Sequence, residues 1–256
     1  MNCKNCTTEF EGNFCPECGQ KPQIESFTMR SLGKQFFHIL TNIERGMWPT
    51  IWKLLVRPHV VIEEYLDGKS QSYINPFRFL VLVATFVALA TVQFDFLAQQ
   101  AQATNPGLGA QGEFATHLFE MMGRVFHFMV IASVPFYTLF SWWFLRKRGR
   151  SAGEHLIMNS FLVAERQLFL ALLIPVLFFV PEIYGWTMLL FTVLAWTYYS
   201  WALKNQFKIS AGKALAIGFA VNVLATGLYM IFMGIVLVIV VIIQVKFFGL
   251  EIAPSN

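Results

Sequence analysis

The sequence predicts an all-α polytopic membrane protein, with about five transmembrane helices behind a small cysteine-bearing head, and three observations carry that prediction. Hydrophobic residues make up 56% of the chain and charged residues only 13%, too little polar surface for a soluble fold of this size. Several apolar runs, beginning with NPFRFLVLVATFVALATVQFDFL at 75–97, are long enough to cross a hydrocarbon core. All four cysteines precede the first of these runs. The formal charge of +4 is small for a nucleic-acid partner, and none is expected. The opening MNCKNCTTEF has no basic n-region leading into an apolar core, so the head is expected to stay on the side where it is made.

The head, residues 1–22, is read from Cys3, Cys6, Cys15 and Cys18, two CxxC pairs separated by eight residues. Each pair bends into a knuckle that aims two thiolates at one point, and two knuckles supply the tetrahedral sulfur set that zinc prefers. A structural zinc ribbon is therefore expected. Iron is the alternative metal, because CPECG also suits half of an iron tetrathiolate site, and disulfides would require an oxidising compartment. A closed four-sulfur site leaves no position for substrate, so its role is structural or partner-binding. Gly12 and Gly19 fit the turns that bring the knuckles together.

Residues 23–75 are expected to form amphipathic juxtamembrane helices. Met29, Leu32, Phe36, Phe37, Leu40 and Ile43 recur at three- and four-residue steps, with Arg30, Lys34 and Arg45 among the polar positions and Trp48 and Trp52 following. That pattern suits a helix in the headgroup region, broken into short pieces by Pro49 and Pro58. Gly68 is placed as a helix C-cap and Pro76 in the first turn of the first span.

The cysteine pairs with Gln20, the Arg57-Pro58 pair, Tyr65-Leu66-x-Gly68-Lys69, Tyr73 and Pro76-Phe77-Arg78, followed later by Glu154-His155, resemble the uncharacterised bacterial membrane family known as domain of unknown function 3667. The resemblance covers about the first 80 residues. It implies a membrane protein with a zinc-ribbon head, in the bacterial cytoplasmic membrane, and brings no activity with it.

The bundle, residues 76–256, is expected to span at about 76–97, 121–145, 155–180, 186–203 and 214–247. Sixteen of the nineteen Lys and Arg residues lie in residues 1–75, at Arg78, or in the segments 146–154 and 204–213. By the positive-inside rule the N-terminus is then cytoplasmic and the C-terminus outside. The Gln-, Ala- and Gly-rich segment 98–118 is expected as an external connector.

The third span carries most of the polar candidates. Glu154, His155 and Asn159 stand at its entrance, where an adjacent carboxylate and imidazole suggest proton transfer. Glu165 and Arg166 fall near its middle, where each charge costs about 2.5–3.5 kcal/mol on insertion scales. Consecutive residues point about 100° apart on a helix, so these two do not simply neutralise each other and another helix or a water cavity must compensate. An alternative lays 154–167 along the interface and makes the remainder re-entrant at Pro175. His127 in the second span is a further intramembrane polar candidate. Asn222 is another, in the stripe Ala214, Gly218, Asn222 and Thr226, whose small residues permit close helix packing.

The leading functional expectation is a membrane-anchored interaction or regulatory protein with a cytoplasmic protein partner at the ribbon. Two alternatives follow: a small transporter or channel with a polar path near Glu165 and Arg166, and an intramembrane enzyme using Glu154 and His155. No HExxH or GxSxG pattern supports the last.

Overall fold

The computed structural model describes residues 2–20, 47–94 and 112–248. The expected amphipathic helix at 26–46 lies outside them. The described chain is all-α apart from an isolated bridge between Asn2 and Glu9 in the head. Its helices are α1 (Met47–Val56), α2 (Pro58–Leu66), α3 (Pro76–Gln93), α4 (Gly112–Leu145), α5 (Ala152–Phe179), α6 (Tyr184–Phe207) and α7 (Ala211–Phe248).

Local sequence explains most of the boundaries. Pro58 opens α2, and α2 ends at Leu66 with Asp67 as its C-cap, after which Gly68, at a φ of +108°, turns the chain away. Asn75 caps α3, its side chain accepting from the backbone N–H groups of Phe77 at 3.0 Å and Arg78 at 3.3 Å, with Pro76 at the first helical position. Ser151 and Glu154 form a reciprocal capping box at the start of α5. Pro49 is the third residue of α1, and the run it is expected to end lies outside the described residues. The connector expected over 98–118 is also shorter, because α4 is already helical at Gly112.

Among the described residues, four segments are long and apolar enough to cross a membrane: Ser70–Gln93, Phe128–Arg148, Ala152–Phe179 and Ala211–Val240. The span expected at 186–203 lies within α6, which has 24 residues. Thr187, Thr192, Thr197, Tyr198, Tyr199 and Ser200 lower its hydropathy. The third expected span is one continuous helix through Pro175, with no re-entrant break.

Ring contacts and hydrogen bonds fix the helix directions. Phe79 meets Phe161 and Phe94 meets Phe178, so α3 and α5 run parallel. His155 at the start of α5 stacks on Phe207 at the end of α6, with centroids 5.3 Å apart, so these two run antiparallel. Tyr137 meets Thr226 and Tyr229 meets the Met129 carbonyl, which makes α4 and α7 antiparallel. The starts of α3, α5 and α7 and the ends of α4 and α6 therefore share one end of the bundle. The basic residues of 146–150 and Lys204, Lys208 and Lys213 lie at that end.

Helices α1 and α2 cap this end. Tyr198 donates to the Leu54 carbonyl at 2.7 Å, His59 meets Trp201 edge-on, and Tyr65 packs on Phe161. On the outer face of α1, Trp48 and Trp52 are 74% and 68% exposed, as suits side chains of the headgroup layer. Helix α6 packs closely on α7: a Cβ added at Gly218 would lie 2.1 Å from Ser200 Oγ and 3.3 Å from Ser200 Cα. The small-residue stripe read from the sequence is thus a contact surface.

Candidate functional site: a four-cysteine centre and a buried polar ladder

The head is built from one turn used twice. Cys3 N–H bonds Thr8 O at 3.0 Å and Thr7 N–H bonds Cys3 O at 2.9 Å; twelve residues later Cys15 N–H bonds Gln20 O and Gly19 N–H bonds Cys15 O, both at 2.8 Å. The residue after each CxxC is left-handed, Thr7 at φ +64° and Gly19 at φ +73°. The two knuckles bring all four sulfurs within 4.8 Å of one another. Cys3–Cys18 and Cys6–Cys15 are each 3.5 Å apart. A tetrahedron with metal–sulfur bonds of about 2.3 Å has edges of about 3.8 Å, so the donor set fits zinc or a similar ion. A disulfide would need about 2.05 Å, and the four cysteines are free thiols.

The thiols differ in acidity. The Thr8 hydroxyl, aided by Thr8 backbone contact, lowers Cys6 to about 6. Cys3 is also lowered, chiefly by the Cys6 backbone N–H, whereas burial raises Cys18 to about 12. Four thiolates this close repel one another, and a bound dication is what lets the last proton leave.

Both knuckles hold the head to the turn between α2 and α3. Gln20 is 3% exposed, and its Nε2 donates to the Gly68 carbonyl at 2.5 Å. Ser72 Oγ donates to Asn5 Oδ1 at 2.7 Å. Beside this contact Glu64 accepts from Lys69 at 2.7 Å and from the Tyr73 hydroxyl, and Lys53 Nζ donates to Tyr73 Oη at 3.1 Å. The Lys69 ammonium, then the Tyr73 hydroxyl, hold the Glu64 carboxyl below its ordinary value.

Within the bundle the polar candidates divide into two groups. Ser141 Oγ lies 3.0 Å from His155 Nδ1 and accepts from Asn159 Nδ2 at 2.9 Å; Asn159 Nδ2 also reaches the His155 carbonyl at 2.8 Å. Tyr199 donates to Asn159 Oδ1 at 2.8 Å. This ladder joins α4, α5 and α6. The Asn159 amide interrupts it as a proton path, because Nδ2 only donates and Oδ1 only accepts. His155 Nε2 and both amide atoms of Gln206 line a small cavity under α2 and have no partner among the described residues.

Glu154 and His155, read from the sequence as a proton-transfer pair, make no hydrogen bond to each other among the described residues. Glu154 turns back to the Ser151 N–H at 2.6 Å and to Arg150 at 2.9 Å. Glu165 and Arg166 also diverge. Glu165 is 1% exposed, with Oε2 unpartnered among the described residues. Arg166 Nη1 donates to Tyr137 Oη at 2.6 Å, and its guanidinium lies 5.0 Å from that ring's centroid. Asn222 donates to the Gly218 carbonyl at 2.8 Å and lines a second small cavity with Arg166. The His127 side chain lies outside the description. Tyr137, Ser141 and Tyr199 complete these contacts and Gln206 lines the cavity beside His155; none of the four is among the polar candidates read from the sequence. An isolated hydroxyl or amide in an apolar run was their one available signal.

A family model for proteins of unknown function (DUF3667) matches residues 44–87. The matched stretch holds α1, α2, the turn that receives the head and most of α3. Nothing matches this chain among the curated proteins or the solved structures.

Proposed function

We propose that this is a protein of the bacterial cytoplasmic membrane that works as an anchored interaction or regulatory module, with a zinc-loaded head in the cytoplasm and five crossings behind it. The observation that carries the reading is the attachment of the head through Gln20–Gly68 and Asn5–Ser72. Both knuckles engage the juxtamembrane turn, so the metal orders a platform seated on the bundle end and not a loose tail. Phe14, beside Cys15, is 57% exposed and offers an apolar contact for a cytoplasmic protein partner.

Metal analysis and proximity capture test this reading together. The purified full chain is expected to carry about one zinc, and Cys15→Ser to carry none while keeping the bundle folded. A photoreactive residue at position 14 is expected to form a discrete zinc-dependent adduct with another protein in intact cells, lost in Cys15→Ser. Iron in place of zinc, or no adduct from the zinc-loaded head, overturns the reading.

A second reading, a small transporter or channel, is favoured by the position of Arg166 inside the bundle beside a cavity. Solute flux in liposomes that depends on Arg166 would decide for it. The enzyme reading lacks a comparable observation, because Glu154 and His155 are engaged separately.

A further inference from the structure

Arg166 lies about 21 Å along α5 from Ala152, deep within a membrane-crossing helix. A cation at such a depth requires a compensating partner. Among the described residues the ion pairs are Lys69–Glu64 and Arg150–Glu154, and Arg166 has none, although Glu165 is its neighbour in sequence. Its hydrogen bond and ring contact to Tyr137 occupy one guanidinium nitrogen and supply no counter-charge.

Four helices converge on the space beside it. Tyr137 comes from α4, Arg166 from α5, Tyr198 and Tyr199 from α6, and Asn222 from α7, around a cavity of about 10 Å³, room for one water-sized species. Arg166 has further N–H donors beyond the one used at Tyr137, and the Asn222 amide, with one N–H on Gly218 O, has a second. Among the described residues no carboxylate lines the cavity, and its remaining walls are apolar or aromatic. The chemistry is therefore donor-rich, positively charged and too confined for a phosphate ester.

We propose that this four-helix junction binds a small monovalent anion of halide size, which supplies the counter-charge that Arg166 does not find among the described residues. The site stands on its own, whichever of the two functional readings holds.

The test uses the full chain in mild detergent, exchanged into gluconate and titrated with chloride or bromide at constant ionic strength while the thermal unfolding midpoint is followed. The expected result is a saturable rise with both halides and none with sulfate. Halide affinity is expected to weaken at least about tenfold in Arg166→Gln and in Asn222→Leu, as befits loss of the charge or of the second donor. Should Arg166→Gln fail to fold, Asn222→Leu decides alone. A wild-type midpoint insensitive to halide, as for a cavity that holds only water, overturns the proposal, as does an unchanged halide response in the folded variants.

Discussion

Thr7 holds a left-handed backbone, φ +64°, where its counterpart in the second knuckle is Gly19. A β-branched residue is strained there by roughly 1–2 kcal/mol, and Thr7 offsets part of that strain by donating its hydroxyl to the Cys6 carbonyl at 2.6 Å. Thr7→Gly removes the strain, loses that bond and gives the unfolded chain more freedom to lose, leaving a net gain of about 0.5–1 kcal/mol. Because metal binding and folding are one equilibrium in so small a head, the variant should bind zinc a few-fold more tightly in a chelator competition, and Thr7→Val more weakly. An unchanged affinity in both would mean the turn carries no strain. Glu64 supplies a second residue-scale effect. Its carboxyl titrates below its ordinary value because Lys69 and Tyr73 favour the ionised form. Its contribution to stability is therefore complete above the ordinary carboxylate range and is lost as pH falls through the depressed value. The gap in thermal midpoint between wild type and Glu64→Gln should be widest near neutral pH and close on acidification. Lys69 is 43% exposed, so solvent screening keeps the gap small.

At the scale of elements, Asn159 joins three helices. It ties α5 to Ser141 of α4 and to Tyr199 of α6, while Phe207 of α6 stacks on His155 one turn earlier. In water such bonds would be discounted against competing hydration. In a bilayer the competitors are other polar groups, and single interhelical bonds average about 0.6 kcal/mol with an upper range near 1.7. Two bonds lost, with Ser141 and Tyr199 left short of a partner, put Asn159→Leu at about 1–3 kcal/mol of destabilisation. Unfolding from mixed micelles by graded detergent measures it. A cost near zero would mean that these helices are held by the tight α6–α7 packing and apolar burial alone.

For the molecule as a whole, what could be read from the sequence was what local chemistry states. The CxxC pairs give the turns that gather the four sulfurs, the apolar runs give the long helices, and Pro76 gives the start of α3, whereas α5 starts at Ala152, three residues ahead of the expected span. What could not be read depends on distant pairing. Gln20 meets Gly68 forty-eight positions away, and Tyr199 meets Asn159 forty positions away. No periodicity marks either pair. The same distinction applies to Glu154 and His155: they are adjacent in sequence, and the capping box and the ladder give them different hydrogen-bond partners. Helix α6 is where composition and arrangement part most clearly. Its threonines, tyrosines and Ser200 keep it out of the four most apolar helices. Yet it runs antiparallel beside α5 and returns to the end that carries the basic segments. If α6 crosses, Lys204, Lys208 and Lys213 share the cytoplasmic side with 146–150, as the positive-inside rule demands; if it lies flat, those lysines are stranded outside. Reporter fusions settle the choice. A fusion after Glu182 should be active only as an external phosphatase, one after Lys208 only as a cytoplasmic fluorophore, and one after Gly149 should match Lys208. Like signals after Glu182 and Lys208 would reduce the bundle to four crossings and place both termini on one side.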